Sequence, residues 1–144
     1  MLFLNPPQDF KSAFEAVGCY LEYDGAILLL HYVEAHKPMG ALWGPPAGKM
    51  EVGEAPVQAV VREVQEEAGI VLDIDRIKFL KKMYVRYPQF DFVYYVFSVQ
   101  LLGKPTVILD SNEHQEYKWV RPRDAHSMPL VWDEDECIKM FFNF

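Results

Sequence analysis

Two segments of this chain are extended and apolar on both faces, and that constrains the fold more than any other feature. The first, Ala26-Ile-Leu-Leu-Leu-His-Tyr-Val33, follows Asp24-Gly25, a strong two-residue hairpin signal. In the second, over 91–101, Phe92, Tyr94 and Val96 oppose Val93, Tyr95 and Phe97. A strand without a polar face cannot border water, so each side of the sheet must be covered by another layer. Further strands are expected over 15–23, where Val17, Cys19 and Leu21 alternate with Ala16, Gly18 and Tyr20, over 75–85, and over 117–120.

The covering layers are helical. Over 55–69, Val57, Val60, Val61, Val64 and Ala68 repeat as one buried stripe. Pro56 suits the first turn and Gly69 the C-terminal stop. Pro122 can open a brief helix. Asp133 is an N-cap candidate with Glu136 three residues on, a variant of the capping box, and the helix it opens should bury Cys137, Met140 and Phe141. Residues 34–53, rich in Gly and Pro, read as loop with room for short strand pairing. The fold class is therefore α/β, a three-layer α/β/α sandwich. The 144 residues suit a single domain, 1–144, since domains run to roughly 100–150 residues.

Composition removes several functions. With 51% hydrophobic and 15% aromatic residues the chain can bury a core, which argues against disorder. Its 21 acidic against 14 basic side chains leave a net charge of −7, the wrong sign for a duplex nucleic-acid partner. The longest apolar runs fall far short of the roughly 20 residues of a membrane span. Cys19 and Cys137 form no CxxC pair, so neither a disulfide scaffold nor a zinc site is expected. The N-terminus lacks the basic and long apolar regions of a signal peptide, and the expected location is the cytoplasm.

Part of the acidity is concentrated in one place. Glu51, Glu54, Glu63, Glu66 and Glu67 meet only Arg62 as a basic partner within their span. At about 100° per residue, Glu63 and Glu67 stand about 40° apart on successive turns, beside the apolar stripe, with Glu66 about 60° round toward solvent. Carboxylates crowded on one helical edge repel one another, and a divalent cation would relieve them. Oxygen-only ligands suit Mg²⁺ or Mn²⁺, which also bind substrate phosphates. A solvated, Glu-rich surface helix is the plain structural alternative. Packing gives no reason for the glycines and further acids of the preceding loop.

Residues 48–70 resemble the Nudix box, Gly-x5-Glu-x7-Arg-Glu-U-x-Glu-Glu-x-Gly-U with U aliphatic. Gly48, Glu54, Arg62, Glu63, Val64, Glu66, Glu67, Gly69 and Ile70 fill every fixed position. The resemblance implies the Nudix fold with a central mixed sheet, and Mg²⁺- or Mn²⁺-dependent cleavage of a pyrophosphate bond in a nucleoside diphosphate linked to another moiety. It makes Glu63, Glu66 and Glu67 metal ligands, and Arg62 the residue that orients them. Glu54 would hold the loop or contact metal-bound water, while Gly48 and Gly69 shape the loop–helix–loop. Upstream, Trp43-Gly-Pro-Pro-Ala-Gly48 departs from the family's Leu-Pro-Gly-Gly run at Pro45 and Ala47.

Glu113-His-Gln-Glu-Tyr-Lys-Trp-Val120 is similar to a second family segment and makes Glu113 a further metal ligand or the general base. Tyr87, beside Pro88, is the aromatic best placed by sequence to meet a nucleobase, with Arg86 and Lys49 as phosphate partners. Phe92, Tyr94, Tyr95 and Phe97 read as core. The expected partner is a small nucleotide: a nucleoside or pterin triphosphate, a dinucleoside polyphosphate, ADP-ribose or a nucleotide sugar. A nucleotide-binding or regulatory domain without turnover is the alternative, and the oligomeric state, homodimer included, stays open.

Overall fold

The computed structural model describes residues 1–33 and 41–143, so residues 34–40 of the expected loop lie outside the described residues. Among the described residues eight strands form one sheet: β1 (Leu2–Phe3), β2 (Ser12–Tyr23), β3 (Ala26–Tyr32), β4 (Trp43–Gly44), β5 (Ala47–Lys49), β6 (Ile77–Arg86), β7 (Asp91–Gln100) and β8 (His114–Val120). Three α-helices accompany them: α1 (Pro56–Ala68), α2 (Pro122–Ala125) and α3 (Glu134–Phe142).

The sheet is mixed. Its order is β1-β6-β7-β2-β3-β4, with β5 on β2 and β8 on β3. β2 and β7 run parallel, from Ser12 opposite Asp91 to Glu22 opposite Gln100, and the other pairs are antiparallel. Asp24 (φ 50°) and Gly25 (φ 77°) make the tight β2–β3 turn, both in the left-handed region that a primed hairpin requires. Beyond this turn β2 and β3 pair only through Glu22–Ile27 and Tyr23–Ala26, then part. β5 takes the vacated edge of β2, with Gly48 opposite Val17, while β3 pairs with β8.

Each face of the sheet carries its own core. On one side Val17, Cys19, Leu21, Leu28 and Leu30 pack with Val60, Val64 and Ala68 of α1. On the other, Tyr20, Ile27, Leu29 and Val96 pack with Ala125 of α2 and with Cys137 and Ile138 of α3. Successive residues of β3 thus enter opposite cores, the expected consequence of a two-residue side-chain period. The three-layer α/β/α arrangement follows.

Several boundaries and faces differ from the sequence reading. β2 begins at Ser12 and β8 at His114, and a short 3₁₀ turn, Ile74–Arg76, precedes β6. The buried stripe of α1 is centred nearer Ala59, which is fully buried, whereas Val57 and Val61 stay partly exposed. In α3 the inward positions are Glu134, Cys137 and Ile138, and Met140 is exposed because it lies off that stripe. Asp133 does occupy the N-cap position, but at φ 68° and with no side-chain capping bond. Its carboxylate instead accepts from the Met1 amino group at 2.6 Å. No helix among the described residues is long and apolar enough to cross a membrane.

Candidate active site

Helix α1 starts without an acidic or hydroxyl cap. Pro56 sits in its first turn, and the Ala55 N–H donates to Gln58 Oε1 at 3.0 Å. It ends at Gly69, whose φ of 70° is left-handed and whose N–H donates to the Gln65 carbonyl. Between these ends the acidic edge is organised by Arg62. Its guanidinium grips Glu54 with two bonds, Nε to Oε2 at 2.7 Å and Nη2 to Oε1 at 2.9 Å. Nη1 donates to Glu63 at 2.8 Å and to Glu66 at 3.3 Å. Nη2 also reaches the Lys49 carbonyl at 3.0 Å, which ties the helix to β5.

The electrostatics differ along this edge. The hydrogen bonds from Arg62 hold the Glu54 carboxyl below its usual range. Burial pushes the Glu63 carboxyl up. Arg62 opposes that rise, and the nearby carboxylates of Glu66 and Glu113 reinforce it. Glu113, on the loop before β8, thus bears electrostatically on Glu63 of the helix. Glu67 is 6% exposed, and its Oε1 accepts from the Ala47 N–H at 2.8 Å. Glu66 faces solvent.

Gly48 has a steric reason. A Cβ there would lie 2.3–2.5 Å from the Glu63 carboxylate atoms, well inside contact distance. β5 therefore meets three side chains of this edge: Ala47 on Glu67, Gly48 against Glu63, and the Lys49 carbonyl on Arg62.

The carboxylates of Glu63, Glu66, Glu67 and Glu113 offer oxygen-only donors, the type that suits a hard divalent cation, and burial first, then the nearby Glu66 and Glu113, raises the Glu63 carboxyl. Among the described residues no three His, Cys, Asp or Glu side chains already converge as a coordination set. Glu63 and Glu66 rest on Arg62, and Glu67 on the Ala47 amide.

A cavity of about 390 Å³ lies on the other side of β5, with Ala47, Gly48 and Lys49 in its wall. Phe14, Tyr87, Phe90, Phe92, Tyr94 and Trp132 give it an aromatic lining. Tyr87 is there as expected, edge-on to Trp132 at 5.1 Å. Lys49 is there too, its ammonium 4.4 Å above the Phe14 ring. Arg86 is not in the wall: Asp91 holds it with bonds of 2.8 and 3.0 Å, and Asp9 is a second partner at 3.2 Å. Phe92 and Tyr94, read from sequence as core, line the cavity, while Tyr95 and Phe97 do not.

Sequence reasoning missed Glu134, a buried carboxyl in this cavity. The signal was available, since Glu134 stands at i−3, i−4 and i−7 from Cys137, Ile138 and Phe141, on the buried face of α3. Tyr20 donates to both its oxygens, at 2.8 and 3.1 Å. Burial raises this carboxyl to about 8, against the Tyr20 hydrogen bond that lowers it. An unfolded glutamate titrates near about 4.3, so between these values the native state keeps a proton that the unfolded state has lost. Stability from this group is complete below the lower value and is lost as pH rises through the upper one. Glu134→Gln should therefore flatten the fall in thermal stability between about pH 5 and pH 8.5. A wild-type slope in the variant would contradict the neutral carboxyl.

The sequence profile of the NUDIX domain matches residues 13–141. The chain is 31% identical over 119 residues to the CTP pyrophosphohydrolase of Escherichia coli, across 81% of this chain and 82% of that protein. It is 29% identical over 133 residues to the ADP-ribose pyrophosphatase of Methanocaldococcus jannaschii, across 90% and 73%. In fold it is similar to the crystal structure of the MutT NUDIX hydrolase from Burkholderia pseudomallei, with a TM-score of 0.77 at 24% identity over 89% of this chain and 97% of that one. With the domain profile spanning both cores and the whole acidic edge, and a relative close to a third identical over most of both chains, the protein belongs to the Nudix hydrolase family.

Proposed function

We propose that the protein is a Mg²⁺- or Mn²⁺-dependent pyrophosphohydrolase acting on a small nucleotide. The observation that carries this reading is the shared wall: β5 faces the acidic edge on one side and the aromatic cavity on the other. A base seated among Phe14, Tyr87, Phe92 and Trp132 brings the attached phosphates past Lys49 to Glu63 and Glu67. An aromatic cavity accepts the π-face of any base. The named activities of the two relatives, on CTP and on ADP-ribose, are both compatible with it.

In this reading Glu63, Glu66 and Glu67 hold the cation, with Glu113 contributing a fourth carboxylate. When bound, the cation supplies neutralisation of the phosphate oxygens and activation of water. Arg62 restrains the glutamates before and after it binds, and Glu54 keeps Arg62 in place. Either Glu113 or a glutamate of α1 takes the proton of the attacking water. Lys49 balances charge on the nucleoside side. We place the working protein in the cytoplasm, where such nucleotides are made and used.

A turnover panel tests this. Nucleoside triphosphates, dinucleoside polyphosphates, ADP-ribose and nucleotide sugars would be incubated with Mg²⁺ or Mn²⁺, and with chelator as control. The expected result is cleavage of at least one class that stops when the metal is removed. Metal-independent turnover would overturn the assignment. Nucleotide binding without turnover would favour a regulatory domain.

A further inference from the structure

The Trp43–Gly48 segment carries two adjacent prolines, Pro45 and Pro46, where the family pattern has an aliphatic residue followed by one proline. Neither proline has an N–H, so the pair can make backbone hydrogen bonds only through its carbonyls. Both are engaged. The Cys19 N–H donates to the Pro46 carbonyl at 3.0 Å, and the Tyr32 hydroxyl donates to the Pro45 carbonyl at 3.3 Å. The next residue, Ala47, aims its N–H at Glu67.

Tyr32 is itself well anchored at the end of β3. Its N–H donates to the Leu42 carbonyl at 3.0 Å, its carbonyl accepts from Gln115 Nε2 at 3.3 Å, and its ring lies 4.5 Å from that of His114. Its side chain is buried in the cavity wall. Burial and the carboxylates of Glu67, Glu134, Glu113 and Glu63 all push its hydroxyl up, so it stays a neutral donor.

We propose that Tyr32 is a positioning residue that seats Glu67 through the Pro45–Ala47 segment. The phenol fixes the Pro45 carbonyl, the prolines transmit that constraint stiffly, and the Ala47 amide sets where the Glu67 carboxylate rests. Tyr32 thus acts on metal binding without touching the metal. The proposal rests on the reading of Glu67 as a metal ligand, but its geometric part does not depend on that reading.

The test uses Tyr32→Phe in the full chain, with two readouts. In the metal-free protein, amide hydrogen exchange at Ala47 should quicken by about fivefold, the worth of one net hydrogen bond. Mn²⁺ binding, followed by electron paramagnetic resonance, should weaken by about the same factor, with kcat reduced. In a Glu67→Gln background Tyr32→Phe should add no further loss of Mn²⁺ binding, because its effect runs through Glu67. Unchanged Ala47 exchange, or additive losses in the double variant, would overturn the proposal. If the wild-type protein bound no Mn²⁺, the functional reading would fall, and the Ala47 exchange rate would still decide the role of Tyr32.

Discussion

Glu67→Gln should lower metal-dependent turnover by at least about a hundredfold while shifting the unfolding midpoint by only a few degrees. The separation follows from the contacts of this side chain. Glu67 is buried on α1, and its structural duty is to accept the Ala47 N–H at 2.8 Å. A glutamine can still accept that bond through its carbonyl oxygen. What it loses is the negative charge, on which a hard divalent cation depends. Glu67→Ala should lose both activity and stability, because the Ala47 amide is then left unpaired. The pair of variants separates charge from packing. Wild-type rates in Glu67→Gln would remove Glu67 from the metal site.

Gly48→Ala should also cost about a hundredfold in turnover, for a steric reason. The added methyl would sit 2.3–2.5 Å from the Glu63 carboxylate, and the strand backbone, paired to Val17, has little freedom to withdraw. The carboxylate is the far end of a flexible side chain, so it moves instead and gives up its 2.8 Å bond from Arg62. Moving the end of one flexible side chain costs the fold little, so the midpoint of thermal unfolding should fall by only a few degrees. For the reaction the cost is large, because under the proposed function the displaced group is one of the metal ligands. Full activity in Gly48→Ala would show that the position of Glu63 is unimportant.

The periodic parts of this fold could be read from the sequence, and the reason is physical. β3 is apolar on both faces because Leu28 and Leu30 enter one core while Ile27 and Leu29 enter the other. The α1 stripe and its Gly69 stop are local consequences of helix geometry, so they could be read without tertiary information. The parting of β2 from β3, by contrast, depends on β5 inserting against Ala16–Gly18, a contact between segments some 30 residues apart that no local pattern announces. Asp133 shows a related limit. Its residue type suits a cap, but a long-range ion pair with the Met1 amino group claims its carboxylate.

The candidate site divides in the same way. Its acidic half, Glu113 apart, lies within one loop–helix unit, where spacing alone brings Arg62 to Glu66 and puts Glu63 and Glu67 on one edge. The cavity half is assembled from β1, β2, β3, β5, β6, β7 and α3 and the loops beside them, so Phe14, Phe92 and Glu134 gave no joint signal. Tyr94 illustrates why strand alternation is incomplete there: it packs against the core beneath α2 and α3 and at the same time lines the cavity. Arg86 depends on tertiary contacts in the same way. Read from sequence as a phosphate partner, it is paired with Asp91 and Asp9.

The most direct test of the central claim is ³¹P NMR of a nucleotide substrate incubated with the protein and Mg²⁺. A pyrophosphohydrolase converts the substrate resonances into those of a nucleoside monophosphate and the complementary phosphate product, and chelation of the metal stops the conversion. The same resonances shifted by binding but never converted, with the nucleotide recovered intact, would contradict the account.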